Sequence, residues 1–464
     1  MKAILRRGAG VFTKVDPMAT WRGVARSTRW WVMGCVAAAC GLFASQLAEI
    51  PHRSALRGWD NTFNYVWLRS LMVGGDLSFR DDLEAGNTLT VELKTTIPQM
   101  PLTKTGLVAN KYGIGWALVS APFYMVADGI VATGRGLGVW TLERDGYNWV
   151  YQVCLQTGHF LLAGVSLLLV YRVARRWCGR EPAVLGVMMV WAASPLLYYQ
   201  TSNLSMSHGV TFFALTGCVL ALLRTQDEPE RLCWWWLAGA GLGLAAITRF
   251  QTAVFGLLPL WAVVMQARTK RDVVTTMRIL VALAAGALPL IALQLAAWKI
   301  VYGSWLVYSY GAEAEPFYWT KPAVREVLFS AKHGLFYWHP FLLAGTAGLL
   351  ALAWRRGGLL RAGVVVIGVS IYVNAAWWCW WFGSSFGSRA FEGAILFFMA
   401  GTAWVFERLP VKAGRWLFAA GAGFAGWNLA MVLLYRMALI SRNDAVTYGD
   451  ALRALWRLVA RDAG

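Results

Sequence analysis

Charge is scarce in this chain. Of its 464 residues 14% are Asp, Glu, Lys or Arg, where an ordinary soluble domain carries about 25%. Acids are the scarcer sign, 24 against 43 Lys and Arg, which leaves a formal net charge of +19. So little charge excludes a soluble enzyme and a disordered chain, and a nucleic-acid-binding domain despite the positive balance. Cysteine is sparse and unpatterned: Cys35, Cys40, Cys154, Cys178, Cys218, Cys233 and Cys379 form no CxxC pair, and most sit inside apolar runs. That excludes a zinc site and a disulfide framework, and leaves packing residues. The Gly-rich stretch 383–388 lacks the spacing of a phosphate loop or a dinucleotide fingerprint. No internal repeat and no soluble domain stands out. What is abundant is apolar: 58% hydrophobic residues and 27 Trp, as in chains that bury several membrane spans.

The fold class expected is therefore an all-α polytopic membrane protein. Twelve apolar runs occur, at about 30–48, 112–132, 148–171, 183–200, 208–223, 232–248, 252–267, 279–301, 335–354, 362–382, 391–406 and 416–437. They predict a single integral-membrane domain over 1–464 with 11–12 transmembrane helices. Lys2, Arg6, Arg7, Lys14, Arg22, Arg26 and Arg29 precede the first run, which reads as an uncleaved anchor with residues 1–29 in the cytoplasm. Basic connections at 172–180, 268–278, 355–361 and 408–415 fall on the same side. The opposite, extracytoplasmic side then receives the long polar loop 51–111, a second loop at 302–334, and 200–208, 249–252 and 383–391. One crossing too many lies between 51–111 and 172–180. Run 112–132 is thus expected to be re-entrant or interfacial, or else to conceal a further crossing. In 440–464, Leu452, Leu455, Trp456 and Val459 recur at helical spacing opposite Arg453, Arg457 and Arg461, an amphipathic helix on the membrane surface.

That orientation gathers polar residues at one face. Asp60 follows the first span between Trp59 and Asn61. A lone carboxylate there suits a general base or a divalent-cation ligand, or equally a loop acid capping the short helix that follows. Asp76, in Gly-Gly-Asp-Leu, reads as a turn residue. Lys111, Arg249, Lys332 and Arg389 share the face, and converging cations suit a phosphate; taken singly, each reads as a snorkelling cation. His208 and His333 lie beside them, and His333 could donate a hydrogen bond or act as an acid, or serve structure alone. Tyr112, Gln251, Trp338 and Glu392 complete the candidate lining. Trp234-Trp-Trp236 reads as an interfacial belt; Trp377-Trp378-Cys379-Trp380-Trp381 is a belt too, or a surface for sugar rings and lipid chains.

These segments resemble a known family. Trp59-Asp60-Asn61 with Tyr65-Val-Trp-Leu-Arg69-Ser-Leu and Gly75-Asp76-Leu, Asn110-Lys111-Tyr112-Gly-Ile-Gly115, Met206-Ser-His208, Thr248-Arg249-Phe-Gln251, Phe329-Ser-Ala-Lys332-His333-Gly334 through Trp338-His-Pro340, and Phe386-Gly387-Ser388-Arg389 are similar to the GT-C fold of integral-membrane glycosyltransferases. That class includes protein mannosyltransferases and lipid A aminoarabinose transferases; bacterial family-39-like enzymes resemble the chain more closely. The resemblance implies a large first extracytoplasmic loop with short amphipathic helices, and a polyprenyl-phosphate-linked sugar as donor. It also implies an acceptor hydroxyl on a glycan, lipid or protein, and action at the outer face of the cytoplasmic (inner) membrane. Asp60 takes the position of the functional acid of the first loop. Many members carry an adjacent acidic pair there; Asn61 stands here instead, which leaves the metal unknown, with a divalent cation an open option and no other cofactor implied. By resemblance Lys111 matches a donor-phosphate lysine, and Arg249, Lys332, His333 and Arg389 would be further phosphate contacts. The expected reaction is inverting, with Asp60 as base. A flippase or transporter of lipid-linked sugars, a polyprenyl-pyrophosphate-dependent ligase or polymerase, and a non-enzymatic scaffold are the rivals. No nucleic-acid partner is expected.

Overall fold

A computed structural model of the chain describes residues 17–86, 100, 102–270, 272–311 and 313–461. Expectations placed on Lys2, Arg6, Arg7 and Lys14 lie outside the described residues. The main helices are α1 (Pro17–Glu49), α2 (Trp59–Arg69), α3 (Phe79–Ala85), α4 (Gly115–Gly136), α5 (Trp149–Ala174), α6 (Arg180–Ala192), α7 (His208–Asp227) and α8 (Leu232–Thr248). They continue with α9 (Leu257–Lys270), α10 (Val273–Tyr302), α11 (Leu342–Arg356), α12 (Leu359–Ala376), α13 (Glu392–Arg408), α14 (Val411–Arg436) and α15 (Tyr448–Arg461). Short helical turns join them, and β structure among the described residues is limited to isolated bridges. Hydrocarbon offers no partner to backbone N–H and C=O groups, so runs this apolar must satisfy them internally, as helices do.

The chain is an all-α polytopic membrane protein. Nine helical segments among the described residues are long and apolar enough to cross a membrane: α1, α4, α5, α7, α9 with the turn before it, α10, α12, α13 with the turn before it, and α14. Three of the twelve apolar runs yield shorter helices, α6, α8 and α11, of 13, 17 and 15 residues. Pro195 and Pro340 lie where runs 183–200 and 335–354 break, consistent with a residue that lacks an N–H, whereas Pro122 and Pro289 stay inside α4 and α10. The spans form one core around α13, the most deeply buried of them, which packs on α11 and α6.

The described parts of segment 51–111 build a second core with α4 and α5. Phe63, Tyr65, Val66 and Trp67 of α2 and Phe79 and Leu83 of α3 pack on Trp116, Tyr124, Tyr147 and Tyr151. A buried ion pair joins Arg69 to Asp82, and Tyr147 Oη donates to the Asp82 carbonyl at 2.6 Å.

This core also decides the path of α4. Before it, Asn110 donates to the Phe63 carbonyl at 2.8 Å and Trp67 Nε1 to the Tyr112 carbonyl at 3.1 Å. After it, Arg69 Nε donates to the Asp145 carbonyl at 2.7 Å and Tyr65 Oη to that of Gly146. Both flanks are thus tied to one 11-residue helix, about 16 Å long at 1.5 Å per residue, half the ~30 Å of a hydrocarbon core. Between these tied flanks α4 runs as one helix of 22 residues, long and apolar enough to cross a membrane. At the other end of the chain, α15 exposes Leu452, Trp456 and Val459 and buries Ala451 and Ala454. Val446 N donates to the Ala331 carbonyl at 3.1 Å, and Tyr448 stacks on Tyr337 at 4.5 Å. The tail therefore leans on the segment that carries Lys332 and His333.

Candidate active site

Asp60 lies in the first turn of α2, where a carboxylate complements the exposed N–H groups and the helix dipole. Gly58, at φ +91°, makes the bend that starts this helix. One Asp60 oxygen accepts from Tyr112 Oη; the other accepts from Arg389 at 2.8 Å. Burial works to raise the Asp60 carboxyl, but Arg389, the Tyr112 hydroxyl and Lys111 together outweigh it and hold the group below its usual 3.8. Burial and the Asp60 charge push the Tyr112 phenol well above its ordinary range, so Tyr112 stays a donor.

A second, deeper pairing lies beside the first. Glu392, three residues past Arg389 and 2% exposed, sits 2.9 Å from Arg249 Nε and 3.5 Å from His208 Nδ1. Arg249 also lies 3.5 Å from Ser207 Oγ and 3.4 Å from His208 Nε2, and the Gln251 amide lies against the same guanidinium. A third pair joins Lys111 to Glu315 of the second loop. Lys111 Nζ stands 5.1 Å from the ring of Tyr310, which also neighbours Tyr112, Phe250 and Trp377. Tyr310 thus sits amid the charges of Arg249, Asp60, Glu315 and Arg389, and burial pushes its hydroxyl up to about 12.

The candidate residues therefore divide. Asp60, Tyr112, Arg389, Lys111, Arg249, His208, Gln251 and Glu392 form one acid–cation network. Lys332 lies outside it, on the Trp381 face at 4.1 Å, a cation–π seat on the second Trp run. His333, at φ +62°, is pushed down to about 4, chiefly by burial. Its Nδ1 lies 2.8 Å from the Trp381 carbonyl; a carbonyl only accepts, so the proton of the neutral ring is on Nδ1. His333 Nε2 then carries no proton to offer a phosphate. Asn61 turns away from Asp60 and donates to the Arg57 carbonyl and to Asn203, each at 2.9 Å. Trp338 is buried, with Nε1 given to the Ala331 carbonyl at 2.9 Å.

Sequence reasoning missed Glu315 and Tyr310. Their signal was present: Glu313 and Glu315 stand close together in a loop otherwise read only for its length. It also took Arg249, Lys111 and Arg389 as open cations, whereas each has a carboxylate beside it. Apolar surroundings leave an unpaired charge too costly to keep.

Two glycines shape the site. A Cβ on Gly115 would lie 2.1 Å from Thr248 Oγ1 and 2.7 Å from Thr248 N, so segment 110–115 closes directly onto the residue before Arg249. Gly115→Ala is expected to force these segments apart, cost about 1–3 kcal/mol as overpacking does, and weaken the Tyr112–Asp60 contact. A lowered thermal midpoint together with reduced turnover would bear this out; an unchanged midpoint would contradict it. Gly387 has φ +60°, and a Cβ there would meet His339 Nε2 at 2.2 Å, which fixes the backbone just before Arg389.

A metal ion finds no ready cage. Among the described residues no three His, Cys, Asp or Glu come together to hold one, and both Asp60 oxygens are engaged by donors.

Fold and site thus define a multi-pass membrane protein with an acid–cation cluster at the ends of its helices. Among known families, that described as dolichyl-phosphate-mannose-protein mannosyltransferase matches residues 152–296. The crystal structure of ArnT from Cupriavidus metallidurans bound to undecaprenyl phosphate is similar at a TM-score of 0.47 and 15% identity, covering 93% of this chain and 69% of that one. The same protein in the apo state gives 0.46 and 13%, over 89% and 73%. No curated protein matches.

Proposed function

We propose that the chain is a glycosyltransferase of the GT-C type. It moves a sugar from a polyprenyl-phosphate-linked donor to an acceptor hydroxyl at the outer face of the cytoplasmic membrane, with inversion. The observation that carries this reading is Asp60 held between Tyr112 and Arg389 with Lys111 close by: an ionised base set against phosphate-binding cations. The match of residues 152–296 to the mannosyltransferase family supports it.

The chemistry follows from that placement. The acceptor oxygen attacks the anomeric carbon while its proton passes to Asp60. The bond from that carbon to the phosphate oxygen breaks, and its electron pair stays on the lipid phosphate. Arg389, Lys111, Lys332 and Arg249 stabilise the charge that builds there. Tyr112 keeps the carboxylate oriented. Aromatic rings from Tyr310 to Trp381 offer faces to the sugar. A divalent cation, if one takes part, would lie at Asp60 in place of one of the donors that now engage it.

The test is sugar transfer by purified protein with a panel of polyprenyl-phosphate monosaccharides and a membrane-extract acceptor, with and without chelator. Transfer is expected from at least one donor. Absence of transfer, with lipid-linked sugar crossing liposomes that contain the protein, would sink the proposal and leave a flippase.

A further inference from the structure

We infer that Asp60 has a second role, as the group that sets the charge selectivity of the phosphate site: it favours the donor's phosphodiester over the phosphomonoester product. This rests on the glycosyltransferase reading of the same site.

The argument begins with a count of charges. The network's three cations, Lys111, Arg249 and Arg389, face three carboxylates, Glu315, Glu392 and Asp60, while Lys332 sits apart from these pairs on the Trp381 ring. The three pairs cancel, so a phosphodiester monoanion that binds here must take its share of Arg389 from Asp60. Transfer changes the ligand: once the bond to the anomeric carbon breaks, the lipid is left with a monoester whose second ionisation lies near pH 6. Above that pH the product carries one negative charge more than the donor.

The carboxylates differ in reach. Glu392 is sealed, its side chain 2% exposed, so it stays the fixed counter-ion of Arg249. Asp60 and Arg389 remain partly open, at 24% and 14%. An incoming phosphate that approaches Arg389 therefore also approaches the Asp60 carboxylate. The two anions compete for one guanidinium and repel each other, and the repulsion grows with the ligand's charge. Such coupling is reciprocal: whatever Asp60 subtracts from phosphate affinity returns when its charge is removed.

The consequence fits a turnover cycle. While Asp60 holds the acceptor's proton it is neutral, and Arg389 is free to stabilise the leaving phosphate. When that proton passes to water, the restored carboxylate reclaims Arg389 and the product monoester is released. The base of the reaction is thereby the group that clears the site.

The experiment measures equilibrium binding in detergent at pH 8 of polyprenyl phosphate and of its methyl phosphodiester, to wild type and Asp60→Asn. Wild type is expected to favour the diester. Asp60→Asn is expected to bind the monoester about tenfold more tightly than wild type does, with a smaller gain for the diester, so the preference shrinks or inverts. Arg389→Gln should weaken both ligands. Asp60→Ser replaces Asp60→Asn if the latter does not fold. Equal or weaker monoester binding by the Asp60 variant overturns the inference while leaving the donor class intact; it would mean that Asp60 assists phosphate, as through a bridging cation. Failure of wild type and variants alike to bind either lipid overturns the glycosyltransferase reading itself.

Discussion

Asp60→Asn is expected to lower kcat by about 10³-fold, within the 10²–10⁴ that a positioned general base contributes. The substitution keeps the size of the side chain, and its amide oxygen can still accept from Tyr112 or Arg389, so the fold should persist. The thermal midpoint checks that, and the loss should lie in kcat. The pH profile supplies an independent reading. Asp60 lies below its usual 3.8, since Arg389, Tyr112 and Lys111 outweigh burial. The base form is therefore present above that point and lost only as pH falls through it. The Asp60-dependent limb of kcat/KM should stay flat from neutral pH downward and drop only below the usual carboxylate range. Turnover above a tenth of wild type in the variant, or a limb near pH 6, would remove Asp60 from the role.

Glu392→Ala is expected to have the largest effect on stability. Its carboxylate is buried and lies against both Arg249 and His208, which come from three different helix ends with it. Truncating one partner of a buried pair strands the other in a low dielectric, at a cost of about 3–5 kcal/mol. The thermal midpoint in detergent should fall by several degrees, and Arg249 should lose its fixed orientation. Arg453→Ala on the exposed face of α15 is the control. Its pairing with Asp450 is open to water, so the midpoint should stay where it is. Equal shifts in the two variants would refute the idea that Glu392 holds these helix ends.

Particular residues show how far the sequence could be read. The spans were legible because burial in hydrocarbon imposes a composition on every segment that enters it, and each of the twelve apolar runs contains helix. The breaks at Pro195 and Pro340 were not legible, since Pro122 and Pro289 lie inside α4 and α10 without breaking them. Asp60 stood out because a carboxylate beside Trp59, soon after a span, is rare in a chain with so few acids. Lys111, Arg249 and Arg389 were found on the same grounds. Their partners were not found: Asp60 meets Arg389 across 329 positions and Lys111 meets Glu315 across 204. Nothing local in either segment names the other.

By itself, the sequence determined that the chain is an all-α membrane protein and which few charges it sets at the ends of its helices. Both follow from transfer free energies that act on each residue where it stands. Tertiary structure alone decided how those charges pair. It left Arg389 on Asp60, Arg249 on Glu392 and Lys111 on Glu315, and it brought both flanks of α4 back to α2. Any carboxylate can neutralise any cation, so which pair forms depends on which helix ends the packing brings within about 3 Å of each other.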